Sequence, residues 1–278
     1  MVYLLLGIFC SAVISIGMRL SDGKVRGKYS MLAVNYLICG LLGAYYADFS
    51  ALVTESSGLP LTAALAAVNG ILLLGGFLFF QFSIPRNGIV LSSLFMKLGL
   101  LVPFLVSIIF FHEAPTGLQI LGFLIASGAI VIFNLKQGSE MGRFRPELLL
   151  LLTISGGVDA MAKVYESIGA AALSDLYLCL SFSVAFLLCC AIVLREKERI
   201  DTGALVYGTG IGVANFFCSK LLLAAVNQLP AVVVFPTFSE ATMLIVTSVG
   251  VLFFRERLEK RQWAAFGAII VALTLLNI

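Results

Sequence analysis

Ten long apolar stretches run through this chain, at roughly residues 2–20, 30–49, 61–83, 87–111, 117–135, 147–167, 174–194, 203–227, 231–254 and 259–277. Each is close to or above the length of about 20 residues that a helix needs to cross a bilayer. Lipid offers backbone N–H and C=O groups no hydrogen-bond partner, so a spanning segment must bond internally. Composition agrees: 60% of residues are hydrophobic and 12% charged, where a soluble domain has about 25% charged. The joining loops are short and hold most of the Gly, Pro, Asp and Glu, so no soluble domain fits. The expected fold class is all-α integral membrane, with ten transmembrane helices, as a multi-pass protein of the inner (plasma) membrane.

Several function classes lose their support at once. The first apolar stretch begins at Val2, has no basic region before it, and runs into Met18-Arg19 rather than a small-residue cleavage site; it reads as a span, not a signal peptide. The six cysteines (Cys10, Cys39, Cys179, Cys189, Cys190 and Cys218) all fall inside spans, without a CxxC pair and partner histidine, and read as small buried hydrophobes. The one histidine, His112, cannot build a zinc site alone. No HExxH, GxSxG, P-loop or GxGxxG stands in a usable context. No metal, cofactor, catalytic residue or nucleic-acid partner is therefore expected, and the chain does not read as an enzyme.

Loop charge is one-sided. Counting loops from the N-terminus, the odd ones hold Arg19, Lys24, Arg26, Lys28, Arg86, Lys136, Arg143, Arg145, Arg195, Lys197, Arg199, Arg255, Arg257, Lys260 and Arg261, while the even ones hold no basic residue. The positive-inside rule places the odd loops in the cytoplasm. Both termini are then expected outside.

The chain also repeats itself. "FFHEAPTGLQILGFLIASGAIVIFN" (110–134) aligns without a gap with "FFRERLEKRQWAAFGAIIVALTLLN" (253–277). Phe110, Phe111, Glu113, Gln119, Phe123, Ala129 and Asn134 match Phe253, Phe254, Glu256, Gln262, Phe266, Ala272 and Asn277. Shared composition explains matching Phe and Ala, but hardly Glu, Gln and Asn together. The chain thus divides into a first five-helix repeat, 1–140, and a second, 141–278. An odd number of spans per repeat forces the second to insert upside down, and inverted repeats are a recurring plan of secondary transporters.

At this point the chain resembles the drug/metabolite transporter superfamily, in its EamA-like branch. The paired Phe-Phe-x-Glu stretches are similar to that family's signature after the fourth helix of each repeat, as are the short connections Pro85-Arg86-Asn87-Gly88 and Gln228-Leu229-Pro230-Ala231. The resemblance covers the whole chain in architecture. It implies a ten-helix fold and transport of small metabolites, often amino acids or related compounds and frequently outward. The expected termini depart from the family, whose members are usually drawn with both in the cytoplasm.

Charges inside the spans point to a site. The repeat offset carries Lys97 onto Glu240. Each lies about ten residues, or roughly 15 Å, into its span, near the bilayer centre. A charge there costs about 2.5–3.5 kcal/mol on insertion scales. Each span carries a proline as well, Pro103 and Pro236, and proline permits a kink. In "SGGVDAMAK", Asp159 and Lys163 are four apart and share a helix face, so they can pair. Lys220 and Asn215 in the eighth span and Asn35 in the second complete the substrate-binding candidates: Lys97, Glu240, Asp159, Lys163, Lys220, Asn35 and Asn215. Glu240, a mid-depth carboxyl, is the candidate for proton coupling. Three lysines against two acids suit a zwitterion or an anion better than a lipophilic cation.

The leading expectation is a secondary active transporter, exporter or exchanger, of a small polar metabolite, amino-acid-like or anionic, working by alternating access. Its partners are the small-molecule substrate and the lipid bilayer; a homodimer is a candidate assembly. The rivals are a flippase-like carrier of a lipid-linked sugar and, behind it, a membrane-embedded enzyme. The latter usually needs clustered Asp, His or Arg at the membrane surface, whereas the acids here sit at mid-depth.

Overall fold

A computed structural model describes residues 1–134, 146–255 and 259–278. The expected repeat boundary at 140/141, the basic residues Lys136, Arg143, Arg145 and Arg257, and the matched Glu256 lie outside the described residues. Among those described there is no strand, and helices dominate. In chain order they are α1 (Val2–Ser21), α2 (Lys28–Tyr46), the short α3 (Ala51–Thr54), α4 (Leu59–Asn87), α5 (Ile89–Lys97), α6 (Leu101–Ile109), α7 (Gly117–Asn134), α8 (Pro146–Ile168), α9 (Ser174–Glu196), α10 (Thr202–Val226), α11 (Ala231–Leu252) and α12 (Lys260–Leu276).

Among the described residues, eight helical segments are long and apolar enough to cross a membrane, with α5 and α6 counting as one through Leu91–Ile109. The chain is an all-α membrane protein. The expected fifth and tenth spans correspond to shorter helices: the apolar part of α7 is Gly117–Phe133, and α12 has 17 residues. At 1.5 Å per residue each is about 25 Å long, a little less than the hydrocarbon thickness of roughly 30 Å.

The helices form two compact units. Neither unit is a sequence half. The first comprises Met1–Leu74 and Val164–Asn227, and the second Gly75–Lys163 and Gln228–Ile278. The divisions fall inside α4 and inside α8. In the first unit α2 packs on both α9 and α10, and α1 on α10. Tyr36 stacks on Phe182 with ring centroids 6.3 Å apart, and small residues let backbones meet: a Cβ on Gly43 would lie 2.7 Å from Cys179 Cα. In the second unit α7 packs along α12, and α11 contacts α6, α7 and α12. Phe104 lies flat on Phe123, centroids 3.6 Å apart, within a core that includes Leu94, Ile130, Val232, Ile269 and Leu276.

The helix ends show why the sequence repeats where it does. Thr116 and Gln119 close a reciprocal cap on α7: the Gln119 N–H donates to Thr116 Oγ1 (3.3 Å), and the Thr116 N–H to Gln119 Oε1 (3.0 Å). At the matching position on α12, Glu259 and Gln262 do the same. Each box satisfies donors that a helix start leaves open. The preceding turns match too. Phe110 and Phe253 cap their helices at φ −97° with ψ −33° and −39°. His112 and Arg255 both adopt the left-handed conformation, φ 53° and 54°, a region that non-glycine residues rarely occupy. In the loop before α10, Asp201 caps by accepting the Ala204 N–H at 2.7 Å.

Candidate functional site

The second unit holds Lys97, Glu240, Asp159 and Lys163, and the first holds Lys220, Asn35 and Asn215. The candidates therefore divide between two units.

Lys97 is the last residue of α5. The backbone then tightens into a 3-10 turn over Leu98–Leu100 before α6 begins. Mid-helix 3-10 turns mark hinges or strain. The break precedes Pro103, which is the third residue of α6, where a missing N–H costs little. In the ninth span no break occurs: α11 runs unbroken through Pro236. The α-helix is interrupted after the lysine in one case and continues through the proline in the other.

A close backbone crossing sets the break in place. A Cβ on Gly156 of α8 would overlap the Gly99 carbonyl oxygen, and Ser155 Oγ donates to the Met96 carbonyl at 3.2 Å. Only hydrogen at both glycines lets α8 lie this near the 3-10 turn.

Lys97 keeps an exposed side chain. Glu240, on α11, is 0% exposed. Its two carboxyl oxygens have no hydrogen-bond partner among the described residues. The two side chains lie within each other's electrostatic field without forming a salt bridge among the described residues. An isolated buried carboxylate is strongly disfavoured. The group must be neutral, feel Lys97, or take a visiting partner.

The expected Asp159–Lys163 pair is not formed. Lys163 Nζ lies 3.0 Å from Glu113 Oε1 and 5.5 Å from the Phe111 ring centroid. Asp159 is half-buried and makes no ion pair or hydrogen bond among the described residues. The i, i+4 spacing allowed the pair, but the tertiary fold offers Lys163 a carboxylate that also caps a helix.

In the first unit Asn215 Nδ2 donates to Asn35 Oδ1 at 3.3 Å, tying α10 to α2. Cys39 donates to the Gly212 carbonyl at 3.2 Å along the same seam. Lys220 Nζ lies 2.7 Å from Asp175 Oδ1 and 4.2 Å from the Tyr46 ring centroid. These three candidates thus have protein partners, as interhelical hydrogen bonds and ion pairs do.

Sequence reasoning missed Asp175, Tyr46 and the role of Glu113. Glu113 carried a signal, since the repeat aligns it with Glu256. Asp175 and Tyr46 carried none, because they meet Lys220 only through the packing of three helices. Among the described residues no group of three or more His, Cys, Asp or Glu is placed to hold a metal ion.

No family model matches the chain. An uncharacterized protein of Haemophilus influenzae is 24% identical over 274 residues, covering 94% of this chain and 92% of that one. A solved crystal structure superposes with a TM-score of 0.71 at 14% identity, covering 99% of this chain and 98% of that chain. The chain shares that fold from end to end.

Proposed function

We propose that this protein is a secondary active transporter, an exporter or exchanger of a small polar metabolite, amino-acid-like or anionic, working by alternating access. On this reading it is a ten-span, inverted-repeat carrier of the drug/metabolite transporter kind, with odd loops in the cytoplasm and both termini outside. The matched capping boxes and left-handed turns after α6 and α11 support the repeat.

One observation carries the proposal: Glu240, buried with both oxygens lacking a hydrogen-bond partner among the described residues, stands at the repeat-equivalent position of Lys97, which remains accessible beside a broken helix. Ionisable groups at mid-span are costly and mark substrate or ion pathways. Discontinuous helices near the midplane are where such transporters place their ligands. Lys97 would hold a carboxylate or phosphate of the substrate. Glu240, released from the field of the ammonium, would then take a proton or the substrate's amine. Asp159, without a hydrogen-bond or ion-pair partner among the described residues, is a second acceptor for an amine.

Metabolomics of cells with and without the gene nominates substrates, and proteoliposomes then test them. Wild-type protein should move at least one nominated compound. Lys97→Met, which keeps length and suits the span, should lower its binding more than tenfold while the protein still inserts. Glu240→Gln should abolish accumulation driven by a pH gradient and leave some exchange. Normal affinity in Lys97→Met would refute the assignment.

A further inference from the structure

The start of α11 has no water to satisfy it. Ala231, Val232, Val233 and Val234 are 0%, 2%, 7% and 0% exposed. A helix leaves its first N–H groups without intrahelical partners, and buried ones must find others. Here Val233 and Val234 donate to the Pro230 carbonyl, at 3.0 and 3.1 Å. The Ala231 and Val232 N–H groups donate to Glu113, at 3.1 Å to Oε1 and 3.0 Å to Oε2. Glu113 lies 118 residues earlier in the chain, in the turn between α6 and α7. Both its oxygens are engaged by one helix end, and the carboxylate suits the positive end of the helix dipole.

The same carboxylate takes Lys163 of α8 at 3.0 Å, with the two side chains only 16% and 11% exposed. Glu113 therefore grips two helices. One of them, α11, carries Glu240 nine residues on, about 14 Å along an unbroken rod. The other, α8, carries Asp159 one turn before Lys163. The turn that aims Glu113 is held in its own right: His112 adopts φ 53°, and the Glu113 N–H donates to the Ser107 carbonyl at 3.0 Å. A non-glycine residue kept left-handed is a strained conformation that the surroundings must over-determine.

We propose that Glu113 and Lys163 form a clasp whose role is positional: it fixes the register of α11 against α8, and so sets Glu240 and Asp159 relative to one another. Glu113 touches neither carboxyl and acts through the two helix backbones. Lys163 belongs to this clasp rather than to the substrate. The proposal rests on the transporter reading for its purpose, and on geometry alone for its existence.

The test is hydrogen–deuterium exchange of the full-length protein in lipid nanodiscs, followed at residues 231–234 with no substrate added. Glu113→Ala should raise exchange there at least tenfold. Glu113→Gln keeps one acceptor oxygen and should fall between. The decisive variant is Lys163→Met, which touches none of these amides. If ion pair and cap work as one clasp, it too raises exchange at 231–234 about tenfold, and Lys163→Arg, which restores a cation, returns it to the wild-type rate. If Glu113 is an ordinary cap, Lys163→Met leaves exchange at 231–234 unchanged, and the clasp is overturned. Should Glu113→Ala fail to fold, the two Lys163 variants decide alone. Because no substrate enters the measurement, failure of the transport assay would sink the transporter reading without touching this result, and the reverse holds too.

Discussion

Gly156→Ala probes the crossing that holds the break beside Lys97. The new methyl would overlap the Gly99 carbonyl oxygen and lie 2.7 Å from Val102 Cβ and Cγ2. The obstacle is backbone, so no side-chain rotation relieves it. Overpacking costs about 1–3 kcal/mol, and a backbone clash belongs at the upper end. Separating the helices would also strain the bond from Ser155 to the Met96 carbonyl, worth about 1 kcal/mol. Against this, replacing glycine in a helix interior returns about 1 kcal/mol. The net is a loss of roughly 2–3 kcal/mol, the sum of these ranges. At about 2–4 °C per kcal/mol for a chain of this order of size, the midpoint should fall by roughly 4–12 °C. The assay is the monodisperse fraction surviving heating in detergent, read by size-exclusion chromatography. Gly128→Ala in α7 is the control, since its added Cβ meets nothing within 4 Å; it should match or slightly exceed wild type. If Gly156→Ala is as stable as wild type, the close crossing is not structural and the argument for a held break fails.

Phe104→Ala should destabilise by about 3–5 kcal/mol, the usual cost of removing a core aromatic, because its ring stacks on Phe123 in the core of the second unit; thermal stability in the same assay checks it. Asp201 gives a pH signature: the Ala204 N–H, and after it the Arg26 N–H, hold its carboxyl below the usual carboxylate range. Its contribution is fully present above the unfolded value near pH 4 and is lost as pH falls through the lower folded value. Asp201→Asn should therefore differ from wild type at neutral pH and converge with it under strong acid; a constant gap across a pH series would count against the cap. For orientation, a cysteine at Ser56 should react with an impermeant thiol reagent added outside and one at Lys197 should not; the opposite labelling would reverse the assigned topology.

Much of this molecule is legible locally. Apolar length marks the helices, because lipid leaves a backbone no choice but to bond within itself. The repeated Gln119 and Gln262 stand out as matched positions, and the structure shows that each closes a capping box with a residue three before it. The offset from Lys97 to Glu240 singles out two mid-span charges because each is costly wherever it points. Local reasoning stops where the outcome depends on residues far apart in sequence. Spacing allowed Lys163 to meet Asp159, but Glu113, 50 residues earlier, already held by the buried start of α11, wins it. Lys220 reads as a substrate-binding candidate until the packing of α2, α9 and α10 sets Asp175 and Tyr46 beside it. Pro103 advertises a kink, yet the break falls at Leu98–Leu100, where two glycines let backbones touch. The compact units take helices from both halves of the chain, which no periodicity reveals. Each of these was decided by tertiary structure for one reason: a buried polar group or a close crossing has to be resolved by whichever partner the fold brings within reach, and sequence proximity does not determine which partner that is.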